Sequence, residues 1–149
     1  MTIMGVARFR HFFRAAAEID VDRNDLKRYS DFVNDKIYDL VLMAQPCAKA
    51  NGRDVIIRTD LPITKGLQES IHRFEKLDQE IELEPILAQL TARPPLENEL
   101  DEQTTAWLPT LAGGLSIALA TTLTIIAPDA KAAHSLVWER AFEIFDVVL

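Results

Sequence analysis

Asp20, Asp22 and Asn24 at alternate places, with Asp31 at the twelfth position, form the spacing that most invites chemistry in this 149-residue chain. Oxygen ligands at alternate positions of a twelve-residue loop can cage a calcium ion, but the cage needs glycine at its sixth place for a sharp turn. Asp25 stands there, and Lys27 holds the eighth place. The segment therefore reads as a loop that starts a helix, its acids lying near the positive end of the helix dipole. His11, His72 and His134 fall on three different expected elements. His72 and Glu75 are three apart on a helix, but a metal needs three or four converging ligands. None converge in the pattern, so no metal and no cofactor is expected. Cys47, the only cysteine, follows Pro46 inside an expected buried stripe and reads as a small core residue. It can form no internal disulfide, and a lone thiol fits a reducing cytoplasm. Neither a nucleophile motif nor a phosphate-cradling glycine loop is present. The chain is not expected to be an enzyme.

The elements that carry these residues are helices. A first helix is expected from about Ile3 to Ala17, with Val6, Phe9, Phe12, Phe13 and Ala16 on one face. Asn24 is expected to cap a second, long helix by accepting backbone N–H bonds. Its stripe runs through Leu26, Tyr29, Val33, Ile37, Leu40, Val41, Ala44 and Ala48 to Ala50, where Asn51-Gly52 ends it. Pro46 should kink or weaken that end. Val55-Ile56-Ile57 is a short extended piece, and a third helix is expected from about Thr59 to Leu77, with Pro62 tolerated in its first turn.

A displacement of 77 residues carries Asn24–Ala50 onto Asp101–Ala127, another capped apolar run. Ser135 then caps a last helix through Phe142, Phe145 and Val148, and a short helix from Glu84 to Thr91 is opened by Pro85 and closed by Arg93-Pro94-Pro95. The order short, long, short thus occurs twice. A first unit spans 1–77, an acidic connector 78–83 and a second unit 84–149, all packed as one compact domain. Each unit has too large an apolar face to bury alone, so two must cover each other. Gly113, Gly114 and Ala118, with Ser116, are expected to let the two long helices cross closely. A generic helical bundle is the alternative.

Residues Gln103 to Pro128 carry no charge and are long enough to cross a bilayer. The run nevertheless holds many threonines, Pro109 and the Gly113-Gly114 pair, and acids rather than basic residues flank its start. It is expected to be the buried centre of a bundle, not a membrane span. Arg8 and Arg10 interrupt the apolar start, so no secretory signal is expected there.

Four stretches carry a resemblance: Asn24-Asp25-Leu26-Lys27-Arg28-Tyr29, Lys49-Ala50-Asn51-Gly52-Arg53-Asp54-Val55, Asp60-Leu61-Pro62-Ile63-Thr64-Lys65-Gly66-Leu67-Gln68-Glu69-Ser70-Ile71, and Trp138-Glu139-Arg140-Ala141-Phe142. Together they resemble a bacterial family of single-chain, doubled histone-fold proteins of unestablished role, akin to archaeal histones. The resemblance implies an all-α histone fold whose two short–long–short units form an intramolecular pseudodimer. It implies that Arg53 and Asp60, seven residues apart, pair to lock the loop onto the following helix. It also implies a non-catalytic protein that dimerises or binds DNA, and a monomeric pseudodimer or a higher homo-oligomer.

Charge bears on that last point. Residues 1–77 hold 13 basic and 11 acidic side chains and residues 78–149 hold 3 and 12, so the halves carry +2 and −9 of the total −7. Only the first half suits phosphate. Where the resemblance implies an Arg and a Lys-Thr pair at the DNA-facing loops, this chain has Asp20 and Asp54-Val55, and the second unit offers Asp129 with Lys131 as its only loop cation. Arg8, Arg10, His11, Arg14, Arg23, Lys27 and Arg28 remain as a half-site patch or a solvated face. Two functions are expected to compete. One is a cytoplasmic, nucleoid-associated protein that binds double-stranded DNA weakly, without base readout and with salt sensitivity. The other is a protein-interaction scaffold that has lost the DNA surface.

Overall fold

The computed structural model describes residues 3–83, 87, 99–129, 131–132 and 134–149. Five α-helices account for most of them: α1 (Ile3–Ala17), α2 (Arg23–Ala50), α3 (Lys65–Ile81), α4 (Glu102–Ile126) and α5 (Ser135–Val148), with a 3-10 turn at Arg58–Asp60. Among the described residues the only β pairing is two isolated bridges, so the chain is all-helical. The short helix expected over Glu84 to Thr91 lies outside the described residues.

The bounds of α1 agree with its aromatic spacing. Phe9, Phe12 and Phe13 are buried, and Glu18 turns left-handed at φ 54° so that the Ile19 N–H reaches back to the Phe13 carbonyl. Asp22, not Asn24, caps α2. Its side chain accepts from the Asp25 N–H at 2.8 Å while the Asp25 carboxylate accepts from the Asp22 N–H at 3.1 Å. This reciprocal box satisfies two otherwise orphaned donors and leaves Asn24 exposed inside the first turn. The helix runs unbroken through Pro46 to Ala50, with Pro46 on its exposed side, and Gly52 then takes φ 70°.

α3 begins later than its sequence suggests. The Arg58–Asp60 turn is followed by extended Leu61, and Thr64 caps α3 by accepting from the Leu67 N–H at 3.2 Å. Pro62 therefore lies before the helix, not in its first turn. Asp60 cannot cap α3 because its oxygens are taken up by Arg53 and the Ile57 N–H. The last helix also differs in detail, since Ser135 is its first residue and His134 precedes it without a side-chain capping bond.

α4 is the axis of the molecule and touches every other helix, α3 most extensively. Asp101 caps it through the Thr104 N–H. It is long and apolar enough to cross a membrane by length and composition, but 61% of its apolar window is buried inside the bundle, as a core helix requires. Thr105, Ser116, Thr122 and Thr124 each donate to the carbonyl four residues earlier, which lowers the cost of their hydroxyls, whereas the buried Thr104 hydroxyl makes no hydrogen bond among the described residues. At Gly113 an added Cβ would lie 2.3 Å from the Phe74 ring, and at Gly114 it would lie 2.3 Å from Ile71 Cγ1. The glycines thus seat α3, not the crossing with α2. Ala118, half-buried, helps line a groove with Thr64, Gly66 and Leu67 from the start of α3.

The long helices meet instead at Tyr29 and Ser116. Their hydroxyls lie 2.6 Å apart, and because Ser116 donates to the Ala112 carbonyl, Tyr29 must be the donor of the pair. Phe9 and Phe13 close around the Tyr29 ring at centroid distances of 5.1 and 5.2 Å. Burial holds the phenol well above its ordinary pKa, so Tyr29 stays neutral. α5 packs through rings, with Trp138 against Phe13 and with Phe142 and Phe145 around Phe32. Buried Lys36 of α2 pins it further through Asp146.

Candidate nucleic-acid interface

Two loop pairs sit at the ends of the long helices. At one, the Asp20 N–H donates to the Lys131 carbonyl at 2.8 Å, and Asp20 bridges Ala132 in parallel. At the other, Ile56 donates to the Glu99 carbonyl at 2.8 Å and accepts from the Asp101 N–H at 3.1 Å, bridging Leu100. The segment before α2 is therefore joined to the segment before α5, and the segment before α3 to the segment before α4. Each half of the chain lends one connecting segment to the other.

Local contacts fix the shape of the second pair. Arg53 grips Asp60 with two parallel bonds of 2.7 and 2.8 Å, the planar fork that a carboxylate matches best. The same guanidinium donates to the Val55 carbonyl, and the Ile57 N–H donates to Asp60. Asp60 is almost fully buried, and the Arg53 bonds, helped by the Ile57 N–H, hold its carboxyl far below the usual aspartate range against the opposing effect of burial. The expected locking pair is thus present. Cys47 borders it, and the adjacent Asp60 carboxylate pushes its thiol pKa up, the wrong direction for a nucleophile. Arg58 lies over the Trp107 ring, 4.1 Å from its centroid, a cation–π contact that residue order does not reveal.

The candidate cations divide in two. Arg14 is engaged by Asp20 at 2.7 Å, Arg28 by Asp25 at 3.2 Å, and Arg8 donates to the Glu82 carbonyl at 3.0 Å. Asp25 itself is buried, and that burial raises its carboxyl pKa despite the bond from the Asp22 N–H. Arg10, Arg23 and Lys27 are exposed and make no ion pair or hydrogen bond among the described residues. Arg10 and Arg14 are one turn apart on α1, and Arg23 and Lys27 one turn apart on α2. The loop bridge adds exposed Lys131 beside Asp20, a neighbour 111 residues away that only the 77-residue displacement could suggest. No group of three or more potential metal ligands is assembled among the described residues, and the Asp20–Asp31 segment is spent on the Arg14 pair and the α2 cap.

Two solved structures share this shape. A Thermus thermophilus protein of known crystal structure is 47% identical, with 97% of each chain covered and a TM-score of 0.86. An Aquifex aeolicus protein, also of known crystal structure, is 27% identical, with both chains fully covered and the same TM-score. A curated uncharacterized protein from Aquifex aeolicus (strain VF5) is 31% identical over 111 residues, which span 74% of this chain and 65% of that relative's length. A family model matches residues 9–146, so the chain belongs to the family described as Domain of unknown function (DUF1931).

Proposed function

We propose that the chain is a histone-fold pseudodimer that acts as a non-catalytic, nucleoid-associated protein in the cytoplasm, binding double-stranded DNA weakly and without base readout. The observation that carries the fold assignment is the reciprocal loop pairing, Asp20 with Ala132 and Ile56 with Leu100. Two short–long–short units clasped head to tail require that exchange, whereas a generic up-and-down bundle has no use for it. The Arg53–Asp60 lock and the matched caps Asp22 and Asp101 support the same reading.

DNA would lie against the Asp20–Ala132 end. Arg10, Arg23 and Lys27 face solvent without internal partners among the described residues, Lys131 adjoins Asp20 at the loop pair, and cations at paired loops and helix starts are placed to follow phosphates. Asp20 and Asp129 subtract from that field, so few contacts form and affinity stays low. In a low-salt gel shift, duplex DNA should be retarded whatever its sequence. The log–log salt slope should correspond to about two to four phosphate contacts. Reversing charge together at Arg10, Arg23 and Lys27 should abolish the shift. No retardation at low salt, or retardation indifferent to that triple reversal, removes DNA from the reading.

The acids at both loop pairs favour a second reading, a histone-fold scaffold for other proteins. Exposed Asp54 and Glu99 stand at one pair as Asp20 and Asp129 do at the other. A pull-down from native cells that returns defined proteins after nuclease treatment would select it, and one that returns only nucleic acid would reject it.

A further inference from the structure

The outward side of α5 carries large apolar side chains that no other described element covers. Trp138, Ala141 and Phe145 face the core, yet Leu136, Ile144 and Val147, spaced by eight and three residues, form a second apolar stripe that faces solvent. Val147 is 85% exposed, and Ile125 near the end of α4 is 74% exposed. A cleft of about 450 Å³ opens beside Ile144 and Val147, lined by Ile126, Arg140, Glu143, Ile144, Val147 and Val148. Clustered exposed apolar side chains of this size mark a surface that is normally covered.

We infer that this face is a self-association surface, occupied by the same face of a second copy of the chain across a two-fold axis. Two features select that occupant. Ridge and cleft lie side by side on one patch, which is what an isologous contact needs, since each copy must supply both. Arg140 and Glu143 lie three residues apart within the stripe, opposite in sign, and neither makes an ion pair inside the chain among the described residues. A two-fold operation can set each Arg140 opposite the partner's Glu143. Such rim pairs define register more than affinity, while the apolar stripe supplies the driving force. Arg140 and Glu143 cancel within the cleft lining, so two copies of total charge −7 can meet there without setting like charges face to face. The contact makes no use of Arg10, Arg23 or Lys27 and is independent of DNA.

Sedimentation velocity and light scattering on the full chain, from micromolar to near-millimolar concentration, test the proposal. The expected mass is twice 16.8 kDa at the upper end. Val147→Glu should weaken association on the order of 100-fold, because each substitution counts twice in a two-fold contact. Val147 is exposed, so circular dichroism should show an intact helical fold. Arg140→Glu and Glu143→Arg should each weaken association, and the double exchange should restore it, which general stickiness would not do. A 16.8 kDa species at every concentration, a dimer unmoved by Val147→Glu, or a failed rescue by the double exchange each overturns the inference.

Discussion

α3 and α5 each follow one of the two long helices, and they are seated by opposite means. α3 approaches the backbone of α4 itself, with Phe74 over Gly113 and Ile71 over Gly114, where no side chain intervenes. α5 stands off on rings, Trp138, Phe142 and Phe145 meeting Phe13 and Phe32. Their outer surfaces differ as well. Gln68, Glu69, His72, Arg73, Glu75 and Lys76 cover α3 with exposed polar side chains, while α5 shows Leu136, Ile144 and Val147. A close seat with a polar back is a finished element of a single chain. A ring-cushioned seat with an apolar back is an element still lacking a neighbour.

The sharpest way to break this contrast is to empty the ring seat. Trp138→Ala should cost about 4 kcal/mol by chemical denaturation, since a fully buried ring leaves a cavity that its neighbours cannot fill. Adding volume at the other seat comes next. Gly114→Ala should cost about 3 kcal/mol, because the new methyl meets the Ile71 side chain and, at 3.1 Å, its backbone, which has nowhere to move. If it instead stabilises α4, as alanine does in an open helix, the close-seat account fails.

Smaller effects test the loop lock and the crossing. Asp60→Asn should cost about 2 kcal/mol at neutral pH by leaving Arg53 without its fork. The folded Asp60 pKa is depressed, so this contribution is complete above the ordinary aspartate pKa near 4. It is lost only as pH falls toward the folded value. Denaturation from pH 8 to pH 5 should therefore show a constant gap between the variant and the parent, narrowing only in stronger acid. Tyr29→Phe should cost about 1 kcal/mol, the net worth of one buried hydrogen bond, because Ser116 keeps its own bond to Ala112. A loss several times larger would mean that the crossing hangs on that hydroxyl and not on the surrounding rings.

Much of this arrangement can be read from residue order, and the misses share a cause. The bounds of α1, α2 and α4 follow from periodic apolar residues and local caps, which are properties of neighbours in the chain. The start of α3 is misplaced by sequence because Asp60-Leu61-Pro62 has the composition of a first helical turn, while Asp60 is claimed by Arg53 seven residues earlier. Gly113 and Gly114 announce a close approach correctly but cannot say which helix approaches, since small residues admit any partner. Lys131 beside Asp20 and Arg58 over Trp107 join distant parts of the chain, and no local pattern encodes them. Arg8, Arg14 and Arg28 look like available cations in sequence, but folding supplies each with an oxygen.

The neutrality of α4 has a consequence for how the protein is made. Alone, that helix would be welcome in a lipid bilayer or against any greasy neighbour. Ribosomes deliver a chain from its N-terminus. α1, α2 and α3 therefore emerge first, and three walls of the cradle exist before the segment that most needs shelter leaves the tunnel. A permutation that released α4 ahead of them would expose it during the interval when capture by membranes or aggregates is fastest.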